Sequence, residues 1–184
     1  PMRKAGRKFE RVGNESTTGI TFFPDRINQF VNKKRPRRIF VNSMSDFFLG
    51  TVPAEAVVAA WNTMLAADWH QFQILTKRPV PAKRIIEDLG LELPPHIWLG
   101  VSVENQEMAD LRIPTLLEIP AKVRFLSCEP LLGHLDIWDY LTAPIDTPPW
   151  QSIDIHWVID GGESGPGRRP GSSSNLPALE SATG

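Results

Sequence analysis

Five stretches of the chain are apolar, rich in Val, Ile, Phe and Trp, and each gives way at once to polar or ionisable residues. They are 38–43 (RIFVNS), 72–76 (FQILT), 97–103 (IWLGVSV), 123–127 (VRFLS) and 156–161 (HWVIDG). A sixth, 19–23 (GITFF), has a similar composition. Near-continuous apolar runs suit strands covered on both faces, the usual condition in a parallel sheet. Longer segments of helical period separate them, and this alternation predicts βα units on a parallel sheet.

The helical segments carry their own punctuation. The first, TVPAEAVVAAWNTMLAA, offers Thr51 as an N-cap, Pro53 near the first helical position and Glu55 in the first turn. Val57, Trp61, Met64 and Leu65 recur at helical spacing, which marks a core-facing stripe. PAKRIIEDLG reads as a short helix closed by Gly90, the residue that most cheaply takes the left-handed cap. ENQEMADLRIPTLLEI reads as a helix starting near Asn105 that Pro114 ends or kinks, because proline lacks a backbone donor.

The residues just past each apolar run carry the functional information. After IFV come Asn42, Ser43, Ser45 and Asp46; after QIL, Thr76, Lys77 and Arg78; after LGV, Ser102, Glu104 and Asn105. After RFL come Ser127, Cys128 and Glu129, and after WVI come Asp160, Glu163 and Ser164. In a parallel sheet these ends share one edge. An open doubly wound sheet needs chemistry mainly at its switch point, whereas a barrel gathers every carboxyl end around one mouth. Polar groups after every run therefore favour the barrel.

A complete barrel takes roughly 250 residues, and this chain has 184. The expected fold is α/β, a partial (β/α) barrel of about six parallel strands with outer helices, truncated at both ends. Residues 1–170 form the expected domain. The tail, 171–184 (GSSSNLPALESATG), has too little apolar surface to offset its ordering entropy and reads as disordered.

A net charge of -1 supplies no global field for a polyanion, so nucleic acid would need a local patch. The one strongly basic run, 32–38 (NKKRPRR), is the candidate; a solvated connection before a strand is the plainer reading. The single cysteine, Cys128, forms no internal disulfide and fits a reducing cytoplasm, and no apolar run approaches the roughly 18 residues of a membrane span. The protein is expected to be cytoplasmic, with no membrane partner.

Individual residues have competing readings. Lys77 is either an imine-forming lysine or, more plainly, an ion partner for Glu104 or Glu129. Cys128 is either a nucleophile or a small packing residue at the end of a buried strand. His70, His96, His134 and His156 lack metal-ligand spacing, so no metal is assigned. GGESGPG, with Gly161 and Gly162, reads as a ligand-facing turn whose amides approach a bound group. It lacks both the Lys-Ser/Thr ending of a P-loop and the spacing of a dinucleotide fingerprint.

The ordered set PRRIFVNSMSDFF, FQILTKRP, WLGVSVENQEMADLRIPTLLEIPA, RFLSCEPLLG and WVIDGGESGPGRRP resembles the bacteriophage gp-thirty-seven/gp-sixty-eight family, a family of unknown function. The likeness runs from about Phe23 to Pro170. Members resemble radical S-adenosylmethionine (SAM) proteins and carry three closely spaced upstream cysteines suited to an iron-sulfur cluster. That triad is absent here, and the resemblance implies a fragment that holds no cofactor of its own. For the full-length parent it implies SAM, a cluster, and a radical that abstracts hydrogen from a small-molecule or modified-nucleotide substrate.

On that resemblance, Asn42, Ser43, Ser45 and Asp46 shape one wall, and Lys77 and Arg78 present positive charge to a carboxylate or phosphate. Glu104, Glu129, Glu163 and Ser164 hold amino or hydroxyl groups, with Ser102, Gly161 and Gly162 completing the SAM- or substrate-facing surface. No catalytic residue is assigned. The alternatives are a nucleic-acid-associated phage accessory protein without catalysis and a cluster-free barrel lyase using Lys77.

Overall fold

The computed structural model describes residues 11–12, 15–16, 28–41, 45–141 and 155–162. A short antiparallel pair, β1 (Arg11–Val12) and β2 (Glu15–Ser16), comes first. The main sheet is β3 (Arg38–Val41), β4 (Gln71–Thr76), β5 (Ile97–Ser102), β6 (Arg124–Cys128) and β7 (Trp157–Asp160). All five are parallel and lie side by side in chain order. Helices α1 (Ala54–Ala66), α2 (Pro79–Asp88) and α3 (Gln106–Glu118) join the first four strands, and a short α4 (Trp138–Leu141) lies between β6 and β7.

Parallel strands added in sequence order by right-handed crossovers put every helix on the same side of the sheet. The sheet accordingly curls into a half-barrel flanked by helices. The run at 19–23, expected as a further strand, and the tail at 171–184 lie outside the described residues.

Strand register sorts the side chains into two faces. Ile39, Phe72 and Ile97 stand in one row; Val41, Ile74 and Leu99 stand in the next; Val101, Leu126 and Val158 stand further along. Onto these rows pack Val57, Trp61 and Met64 of α1, Ala82 and Ile86 of α2, and Ala109, Ile113 and Leu116 of α3. This is the core; of the stripe expected from α1, Val57, Trp61 and Met64 lie in it and Leu65 packs against it half-buried. Trp61 is 1% exposed, and its indole Nε1 donates to the Glu92 carbonyl at 2.9 Å, so its one polar atom is satisfied.

The opposite, inner face carries Phe40, Gln73 and Trp98 in one row, then Leu75, Gly100, Phe125 and Trp157. Gly100 is required by space: a Cβ there would lie 2.6 Å from the Phe125 ring. That ring tilts against Trp157 at 6.2 Å, and Trp157 meets Trp98 edge-on at 5.8 Å.

Four boundaries test the local reading. Gly90 sits at φ +60 just after α2, as the left-handed cap requires. Thr51 does not cap α1: the Val52 amide bonds back to Leu49 in a turn, and Pro53 is the capping residue, its carbonyl accepting from Ala56 and Val57. Nor does Pro114 end α3, which continues to Glu118. Pro114 and Asp110, whose carbonyl loses its usual donor, both lie exposed on the solvent side, while Ile113 and Leu116 hold the turn in the core. Asn105 caps this helix, its side chain accepting from the Met108 amide at 3.0 Å.

Candidate functional site

Parallel strands bring β3 to β7 to a common carboxyl edge, and there the polar groups interlock. Asp46, just beyond β3, accepts from the Thr76 hydroxyl at 2.9 Å and the Lys77 amide at 3.0 Å, tying the end of β3 to the end of β4. It also accepts from the Phe48 amide at 3.0 Å, closing its own turn. Thr76 in turn accepts from the Arg78 amide at 2.9 Å, where α2 begins.

Glu104, beyond β5, is the electrostatic centre of the edge. Its two carboxylate oxygens take different cations: Lys77 Nζ at 2.5 Å and Arg112 Nη1 at 2.8 Å. Glu104 and Arg112 side chains are each 12% exposed, and Arg112 also donates to the Ser102 carbonyl at 2.7 Å. Burial alone raises the Glu104 carboxyl; the Lys77 hydrogen bond and the Arg112 and Lys77 charges outweigh it, so the group titrates below the usual glutamate value. Lys77 itself is 59% exposed and paired, unlike the desolvated lysine that imine chemistry needs.

Beyond β6 and β7 the balance of charge reverses. Cys128 is fully buried in the core, and burial pushes its thiol up to about 12, with the Asp160, Glu104 and Glu129 charges adding to the shift. That environment fits a packing residue. It also puts three carboxylates around one point of the edge. Glu129 packs directly over Gly161, where a Cβ would collide with its carboxylate. The segment after Glu129 is stitched to both neighbouring strand ends, the Leu132 amide donating to the Glu104 carbonyl at 2.8 Å and Leu131 to Gly161 at 3.0 Å. Among the described residues, neither Glu129 nor Asp160 has a cation partner.

The edge therefore unites Ser45, Asp46, Lys77, Arg78, Ser102, Glu104, Glu129, Gly161 and Gly162, while Asn42, Ser43, Glu163 and Ser164 lie outside the described residues. Ser102 is buried on the inner face, and Ser45, Arg78 and Gly162 are exposed. Gly161 keeps φ outside the left-handed region, so its lack of a side chain matters for room and not for backbone freedom. A strand-end pattern passes over Arg112, which comes from α3. Its signal is different: Ala109, Ile113 and Leu116 define the buried stripe, and an arginine within that stripe requires a buried carboxylate.

A separate apolar cavity of about 300 Å³ lies at β3, lined by Phe30, Val41, Phe47, Met64 and Phe72 among others, and no ionisable side chain lines it. Among the described residues no group of three or more His, Cys, Asp or Glu is arranged to hold a metal ion. No helix there is long and apolar enough to cross a membrane.

A family model described as a protein of unknown function, DUF5131, matches residues 2–181. The chain belongs to this family. No curated protein and no solved structure matches it. The DUF5131 description assigns neither a phage origin nor radical-SAM chemistry, so any chemistry has to be argued from the carboxyl edge itself.

Proposed function

We propose that this chain forms the ligand-facing wall of a radical-SAM-like enzyme, taking the cationic end of SAM or of an amine-bearing substrate at Glu129 and Asp160. One observation carries the reading. Lys77 and Arg112 are both committed to Glu104, which leaves two carboxylates at the same edge with no cation among the described residues. A sulfonium or ammonium group supplies the missing charge, and the missing side chain at Gly161 makes room for the Glu129 carboxylate.

The donor set fits SAM and does not fit an iron-sulfur cluster. Clusters are anchored by several thiolates, and this chain has one cysteine, buried and with its thiol at about 12. No step through a cluster is derived. When bound, SAM would supply the radical precursor; the chain's own part is to orient the cation and keep charge balanced around Glu104.

Calorimetry with SAM and with its neutral-sulfur analogue S-adenosylhomocysteine tests the reading. SAM is expected to bind more tightly, with Glu129→Gln and Asp160→Asn each weakening it about tenfold, the loss of one charge-assisted contact. Wild-type SAM affinity in the double variant sinks it; equal affinity for SAM and S-adenosylhomocysteine, which keeps the ammonium, removes the sulfonium as the group held.

A further inference from the structure

At the other edge of the sheet we propose a binding surface for single-stranded nucleic acid, with phosphates on residues 33–38 and a base stacked on Phe40. It stands apart from the SAM reading and needs nothing from it.

The segment holds five cations, Lys33, Lys34, Arg35, Arg37 and Arg38, all of them exposed. It is not a slack linker. The Trp69 indole donates to the Lys33 carbonyl at 2.8 Å, His70 Nε2 bonds the Phe30 carbonyl at 3.0 Å, and the Gln71 amide donates to Arg37 at 2.9 Å. Lys34 sits 4.4 Å over the Trp69 ring and Lys33 5.8 Å from the centre of the Phe30 ring. The fold thus fastens both ends of a loop whose charges repel one another. Among the described residues none of the five forms an ion pair. Phosphates would neutralise them, and the chain's net charge of -1 makes this a local field.

Strand alternation selects the class of polyanion. Arg38 and Phe40, two residues apart on β3, face the same way and lie about 7 Å from each other. Phe40 is 44% exposed on the inner face, beside Gln73 in register. Among the described residues Gln73 Nε2 and Gln71 Oε1, a donor and an acceptor on that face, are buried without partners. A cationic track beside an open aromatic ring suits unpaired bases, which a duplex keeps stacked inside. The run NKKRPRR has no large apolar side chain, and Phe40 beside it is a single ring, far short of the apolar helix face that inserts among lipids, which disfavours a membrane surface.

Fluorescence anisotropy of the full chain with a labelled oligothymidine, titrated from about 50 to 200 mM salt, tests this. The triple variant Arg35→Gln, Arg37→Gln, Arg38→Gln, altered only at exposed positions, is expected to lose at least tenfold in affinity, its log-log salt slope flattening by about 2. Phe40→Ala is expected to lose about tenfold on the single strand with the slope unchanged and with duplex binding unaffected. A wild-type slope in the triple variant overturns the proposal. So does duplex binding as tight as single-strand binding, or retention on phosphatidylserine vesicles without binding to the oligonucleotide.

Discussion

The two faces of the sheet are built from the same strands to different specifications. The helix-covered face is apolar through the middle of β4, β5 and β6, where Phe72, Ile74, Ile97, Leu99, Val101 and Leu126 are all buried, with Thr76 and Arg124 as polar members at strand ends. The inner face mixes rings with Gln73, Ser102 and Ser127, and ends in Lys77, Glu104 and Glu129. Hydrophobic burial is non-directional and tolerates no vacancy; a polar face needs each group matched to a partner. The first face should therefore carry the stability and the second the recognition, and substitutions can separate the two.

The largest effect is expected on the covered face. Trp61→Ala opens a cavity beneath the sheet and leaves the Glu92 carbonyl without its donor, so it should cost about 4 kcal/mol in urea unfolding. A loss under about 1 kcal/mol would mean that α1 is not part of the stabilising layer. SAM affinity in the still-folded fraction should be unchanged.

Glu104→Gln comes next, because it leaves the Arg112 guanidinium, 12% exposed, without its counter-charge. About 3 kcal/mol should be lost at neutral pH. The sign with pH comes from the depressed carboxyl. The unfolded glutamate binds its proton at the higher, ordinary value, so the ion-pair contribution is complete above that value and disappears as pH falls through the lower folded one. Wild-type and variant unfolding curves should therefore converge in acid. A gap that stays constant with pH would show that packing, not charge, makes the difference.

These two sites also show what was legible in the chain. The apolar runs identified strands because a parallel strand is covered on both faces and needs no alternation, and the residues after each run identified the edge because parallel strands all end there. The Lys77 to Glu104 pairing followed from that placement. Arg112 was not visible in the strand ends, since its role depends on α3 docking its buried stripe under β5. Thr51 does not cap and Pro114 does not end its helix for a related reason: caps and proline breaks are local preferences of about 1 to 3 kcal/mol, and core contacts by Val57, Trp61, Ile113 and Leu116 outweigh them.

Two glycines sharpen the contrast within the inner face. Gly100→Ala drives a methyl to 2.6 Å from the Phe125 ring, which is rigid, fully buried and braced by Trp157. About 2 kcal/mol should be lost to overpacking.

Gly161→Ala is expected to have the smallest effect on stability, under about 0.5 kcal/mol. The atoms its methyl meets first all belong to the Glu129 side chain, which is exposed and can swing aside. Moving that carboxylate displaces a charge from the place proposed for the ligand's cation, so SAM affinity should fall by about tenfold although thermal unfolding hardly changes. Gly100→Ala should do the reverse, lowering stability while leaving SAM affinity in the folded protein close to wild type. Finding both losses in both variants would erase the distinction between the packed row at Gly100 and the recognition edge at Gly161, because a face that couples every position cannot divide labour along its strands.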